Sequence, residues 1–127
     1  MAGEFIADSI FDNGLTYITS NANAVHVCSQ VPTSYSEATS TYSLGSKSSP
    51  SVGSPENGAT SGRRVVIDQF TDGVASSSGV ATHWALVYTG GTELLATGPL
   101  AAPDTVALGS PFTVDAISIS LRDATVT

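Results

Sequence analysis

The sequence predicts a mainly β fold: an antiparallel β-sandwich or barrel-like domain with a short N-terminal helix and a long Ser/Gly/Pro-rich loop. Three observations predict it. Short runs rich in Val, Ile, Thr and aromatic residues recur between turn residues, as in all-β domains. A helical period of apolar residues is read only in the first segment. Residues 43–62 hold Gly, Ser, Pro and Asn, with little apolar content beyond Leu44 and Val52. At 127 residues, the chain is expected to form a single domain spanning 1–127. Within it, 1–20 form a helix or arm and 43–62 an extended loop.

Ile6, Ile10, Phe11, Leu15 and Ile18 fall on one helical stripe, which predicts an amphipathic helix over 4–20. Asp8 and Asp12 lie toward its start, where the helix dipole favours them, and Asn21 and Asn23 supply the stop. Val25-His26-Val27-Cys28 alternates as a short strand. Between Tyr35 and Leu44 the pattern is ambiguous, but Ser34 followed three residues later by Glu37 is a capping-box signal for one helical turn. A structureless loop as long as 43–62 is uncommon inside a compact domain and is usually functional or disordered.

Arg64-Val65-Val66-Ile67 is expected to begin the main sheet, with Asp72-Gly73 as a turn. Gly79 to Tyr88 is the strongest strand, with Val80, Thr82, Trp84, Leu86 and Tyr88 on one face. Gly90-Gly91 then separates it from Glu93 to Thr97 in a hairpin. From Pro111 to Leu121 the apolar residues change parity between Val114 and Ile117. That phase switch predicts a bulge or a strand passing between sheets.

Lys47, Arg63, Arg64 and Arg122 face 11 carboxylates, for a net charge of −7. Nucleic-acid binding requires phosphate neutralisation by Lys and Arg, and anionic membranes attract basic segments, so neither partner is expected. Charged residues make up only 12% of the chain, about half the usual share. Ser and Thr replace them, and uncharged groups are far cheaper to bury against a partner than unpaired ions. No apolar run has the length of a signal peptide or membrane span, so a soluble compartment is expected.

Metal and nucleophile chemistry find incomplete ligand sets. His26 and Cys28 share a strand face and His83 lies elsewhere, whereas a structural zinc site takes four such ligands. A bare Cys behaves as a small hydrophobe unless its thiolate is stabilised. The nucleophile elbow and the phosphate-cradling loops are absent. Asp68 and Asp72 precede Gly73 without the alternating ligands of a calcium loop. Glu93 and Asp115 read as solvated strand charges. Trp84 reads as core rather than as a sugar platform. No catalytic residue, metal or cofactor is expected.

Tyr35-Ser36-Glu37-Ala38, Gly62-Arg63-Arg64-Val65, Ala81 to Leu86 and Leu94 to Gly98 resemble segments of small proteins encoded among the head genes of tailed bacteriophages and prophages. The resemblance spans most of the chain. It implies a virion structural protein of the capsid decoration (cement) type, ahead of a neck or tail component, with no catalytic residues to carry over. The expected partners are the major capsid protein or other virion proteins, together with copies of the chain itself. Assembly would take place in the bacterial cytoplasm. The expected contact residues are Ile6, Ile10, Phe11, Leu15, Ile18, Arg63 and Arg64. A glycan-binding β module using Trp84 or the tyrosines is the alternative, followed by a small metal enzyme using His26, Cys28 and His83.

Overall fold

A computed structural model describes residues 8–58 and 62–121. The fold is mainly β with a short N-terminal helix, as expected, and every strand pair is antiparallel. The chain divides into two compact units. One takes the described parts of Met1–Asn21, Ser51–Asp68 and Ala116–Thr127; the other takes Ala22–Pro50 and Gln69–Asp115.

The first unit holds helix α1 (Asp8–Asn21), packed on a three-stranded sheet. Phe11 and Leu15 are buried and Ile18 is partly buried, a spacing of four and three that defines the inward stripe. Ile10 lies outside this stripe and is 63% exposed, so the apolar face is narrower than the sequence suggests. The Asn21 side chain donates to the Tyr17 carbonyl at 2.9 Å, folding back over the last turn of the helix.

Two further stretches of the first unit, 63–67 and 117–121, pair directly. Strand β4 (Arg63–Ile67) lies centrally between β3 (Glu56–Asn57) and β9 (Ile117–Leu121). Val65, Ile67 and Ile117 are buried on the face shared through this register. Arg64 to Ile67, expected to begin the main sheet, therefore belongs to the smaller one.

The second unit is a curled six-stranded sheet, ordered β7-β6-β1-β2-β5-β8. Its strands are β1 (Ala24–Cys28), β2 (Ser43–Ser48), β5 (Phe70–Ala75), β6 (Gly79–Tyr88), β7 (Glu93–Val106) and β8 (Pro111–Val114). The central strands β1 and β6 bury both faces, with Val25, Val27, Ala85, Leu86 and Val87 essentially inaccessible. A buried cluster of Ala24, Cys28, Ala38, Ala85 and Val87 is flanked by Tyr35, Tyr42 and Leu94.

Three further expectations require correction. Residues 43–62 are not one extended loop: they open with β2, which sits between β1 and β5. Leu44 and Gly45 are buried there, and Gly45 is required by crowding, since a Cβ would lie 2.6 Å from the Val74 carbonyl oxygen. Asp72-Gly73 is no turn but the interior of β5, at an irregularity in its pairing with β8. The hairpin strand after Gly91 runs 14 residues, not five. It survives Pro99 and Pro103 because it is an edge strand whose outer donors pair with no neighbour in the sheet.

Other readings hold. Gly79–Tyr88 is a strand with the expected bounds. The parity switch after Val114 marks the passage between sheets: β8 belongs to the six-stranded sheet and β9 to the three-stranded one. Ser34 and Glu37 cap a helical turn that continues as a π-helical turn over Glu37–Thr41. The Glu37 N–H donates to Ser34 Oγ at 3.2 Å, and the Glu37 carboxylate accepts from the Thr33 N–H and hydroxyl at 2.8 and 2.9 Å.

Candidate functional site

At one end of the six-stranded sheet, two of the connections carry no charge. Residues 74–80 and 105–111 comprise only Val, Ala, Ser, Gly, Thr, Leu and Pro. They form the β5–β6 and β7–β8 connections with the strand ends beside them. Backbone hydrogen bonds hold the two connections together. Ala75 N–H donates to the Ser110 carbonyl at 3.1 Å, and Gly109 N–H donates to the Ala75 carbonyl at 2.8 Å. Ser78 Oγ accepts from the Leu108 N–H at 2.9 Å, while the Ser76 N–H reaches back to the Leu44 carbonyl at 2.8 Å.

Against this tied-down backbone, Val74, Val80 and Leu108 are 58%, 49% and 67% exposed. A surface already ordered loses little entropy on binding, and an uncharged one loses little hydration. The arrangement can therefore bury apolar area against another protein at low cost. Sequence reasoning missed it. A charge-free run was visible in each segment, but their adjacency arises only from the β5–β8 and β6–β7 pairings.

The residues proposed for metal or nucleophile chemistry come close in register. Cys28 pairs across the ladder with His83, and His26 pairs with Ala85 on the same face. Each has a local role. The Cys28 thiol is buried, donates to the Ala38 carbonyl at 3.6 Å, and is pushed up to about 11 by desolvation. That is the reverse of what a nucleophilic cysteine needs. His26 Nδ1 lies 2.9 Å from Ser43 Oγ, and burial holds the imidazole below its ordinary pKa. His83 Nδ1 lies 2.9 Å from the Thr82 hydroxyl. Among the described residues, no three His, Cys, Asp or Glu side chains gather to hold a metal ion.

The carboxylates singled out by sequence are dispersed. Asp72 accepts from Lys47 Nζ at 2.9 Å, and this bond draws its pKa below the usual carboxylate value. Asp115 accepts from the Gln69 side chain at 3.1 Å and lines an open cavity of about 230 Å³ with Asp104, Leu100, Pro103 and Thr113. Trp84 is 9% exposed and lies over Gly98, so it is a core residue and presents no stacking face.

Of the contact residues expected from sequence, Ile6 lies outside the described residues. Phe11 and Leu15 are buried, Ile18 is partly so, and Ile10 alone of the described four stands well exposed. Arg63 is engaged within its own unit. Its guanidinium donates to Asp12 Oδ1 at 2.8 Å, Asn57 Oδ1 at 2.7 Å and the Pro55 carbonyl at 3.3 Å. Arg64 pairs with Glu56 at 3.0 Å on a more open surface. No protein-family model, no curated protein and no solved structure matches the chain.

Proposed function

We propose that the chain is a virion structural protein, a capsid decoration protein that docks on coat subunits through the uncharged β5–β6 and β7–β8 connections of its six-stranded sheet. The observation that carries this reading is the pair of uncharged, hydrogen-bonded connections, 74–80 and 105–111, which leave Val74, Val80 and Leu108 exposed in a chain of net charge −7. A protein so acidic is poorly suited to a cavity packed with DNA, which favours the outside of the head. The resemblance of the Gly62–Val65 and Ala81–Leu86 segments to phage head-gene products supports the same placement.

Particles assembled without the chain should lose heat resistance, and adding back the purified protein should restore it. The Leu108→Asp and Val74→Asp variants should bind such particles at least about tenfold more weakly, because each would bury an unpaired charge. Particles that carry the protein only at the neck or tail would overturn the decoration role.

A further inference from the structure

We infer that the chain self-associates by pairing β9 with β9 of a second copy across a two-fold axis, joining two three-stranded sheets into one of six. The inference goes beyond the decoration reading and does not depend on it.

The two sheets have four edges, and three are guarded. β3 is two residues long and carries Glu56. β8 has four residues and opens with Pro111. β7 contains Pro99 and Pro103, and its register with β6 slips twice. These are the usual devices that stop a strand from recruiting another.

β9 has none of them. Ile117-Ser118-Ile119-Ser120-Leu121 contains no proline, glycine or charge, and it pairs with β4 in unbroken register from Arg63↔Leu121 to Ile67↔Ile117. Among the described residues, its other edge has no strand beside it. Ser118 and Ser120 are exposed. On the opposite face the core thins toward the end of the strand, from buried Ile117 through half-buried Ile119 to Leu121, which is 38% exposed.

The strand's own sequence identifies the occupant. Its pattern is symmetric about Ile119. Antiparallel pairing centred there sets Ile117 opposite the second copy's Leu121, Ile119 opposite Ile119, and Ser118 opposite Ser120. Apolar side chains then meet apolar ones, and hydroxyls meet hydroxyls. Such an interface is isologous and closes at two copies. It extends the face that carries Val65 and Ile67, and it covers Leu121, which lies beside Gly14 of α1. The contact is also neutral, so two chains of net charge −7 meet where neither carries charge.

Sedimentation equilibrium of the isolated full chain tests this with no capsid present. The wild-type protein should run at twice its 12.9 kDa mass. The Ser118→Lys/Ser120→Lys variant sets like charges opposite each other and should run as a monomer with an unchanged circular dichroism spectrum. Mixing it with the Ser118→Glu/Ser120→Glu variant should restore the dimer. As a check that needs no variant, amide exchange across 117–121 of the wild-type chain should slow as concentration drives association. A monomeric wild-type chain, an assembly that survives the lysine pair, or exchange independent of concentration would overturn the proposal.

Discussion

Phe112 lies so close over Gly73 that a Cβ on the glycine would come within 2.5 Å of two ring carbons. The ring also meets Phe70 edge to face, with centroids 6.1 Å apart, and it stands 2.8 Å from where a Gly45 Cβ would be. One aromatic side chain thus explains two glycines in adjacent strands. Gly73→Ala should destabilise the protein by about 1–3 kcal/mol through overpacking. Phe112→Leu in the same background should recover part of that loss, with a coupling of at least about 0.5 kcal/mol in urea denaturation. Strict additivity of the two substitutions would show that the ring is not the cause.

Arg63 and Arg64 are neighbours in sequence but differ in burial. The Arg63 side chain is 19% exposed and its partner Asp12 is 35% exposed, while Arg64 and Glu56 are 31% and 53% exposed. Arg63→Ala leaves Asp12, Asn57 and the Pro55 carbonyl without their donor and should cost about 1–3 kcal/mol. Arg64→Ala should cost about 0–1 kcal/mol, as is usual for exposed pairs. Lysine at 63 should recover only part of the loss, because an ammonium cannot reproduce the planar fork. Equal losses at the two positions in thermal melts would refute the distinction.

The strands legible in the sequence are those whose own side chains alternate or are continuously apolar. Gly79–Tyr88 could be read to its bounds because Trp84, Leu86 and Val87 supply its burial themselves. The passage from β8 to β9 was legible because parity must switch when a chain changes the face it buries. β2 was hidden for the opposite reason. Its Ser-Leu-Gly-Ser-Lys-Ser sequence carries no period, and its place between β1 and β5 depends on the glycine that lets Phe112 and the Val74 carbonyl approach. Gly73 misled in the same way, since Asp-Gly marks a turn only when no distant ring needs the space. The paired uncharged connections were illegible because they join residues about thirty positions apart, as in the bond from Leu108 to Ser78.

His26 supplies a pH dependence with a definite sign. Burial lowers its folded-state pKa below the ordinary 6.5, so the neutral ring is favoured in the folded state. Above pH 6.5 both states are neutral and nothing is lost. As pH falls below 6.5 the unfolded chain takes up a proton that the folded chain does not, and stability declines until the lowered pKa is passed. The slope in that window is at most one proton's worth, about 1.4 kcal/mol per pH unit. Glu37 and Asp72, both lowered by hydrogen bonds, add their loss only in the carboxylate range further down. Urea denaturation between pH 7.5 and 5 should show the decline in the wild-type chain and a flatter line in His26→Asn. Parallel slopes in the two proteins would assign the effect elsewhere.

Cys28 makes the opposite prediction at the alkaline end. Its thiol is inaccessible in the folded chain and pushed up to about 11, against 9.0 for an unperturbed thiol. At pH 8 the folded chain thus carries about one thiolate per thousand molecules, and none of it meets solvent. Labelling by a thiol reagent at that pH should be slow in the native protein. Its rate should rise with urea in proportion to the open population, so that the reagent reports opening of the β1–β6 core. Stability should also fall as pH rises through the window from about 9 to about 11, because the unfolded chain gives up its thiol proton first. Cys28→Ala should remove that part of the alkaline loss. Rapid labelling in the absence of urea, or an alkaline slope unchanged by Cys28→Ala, would mean that the thiol is not held neutral by the core.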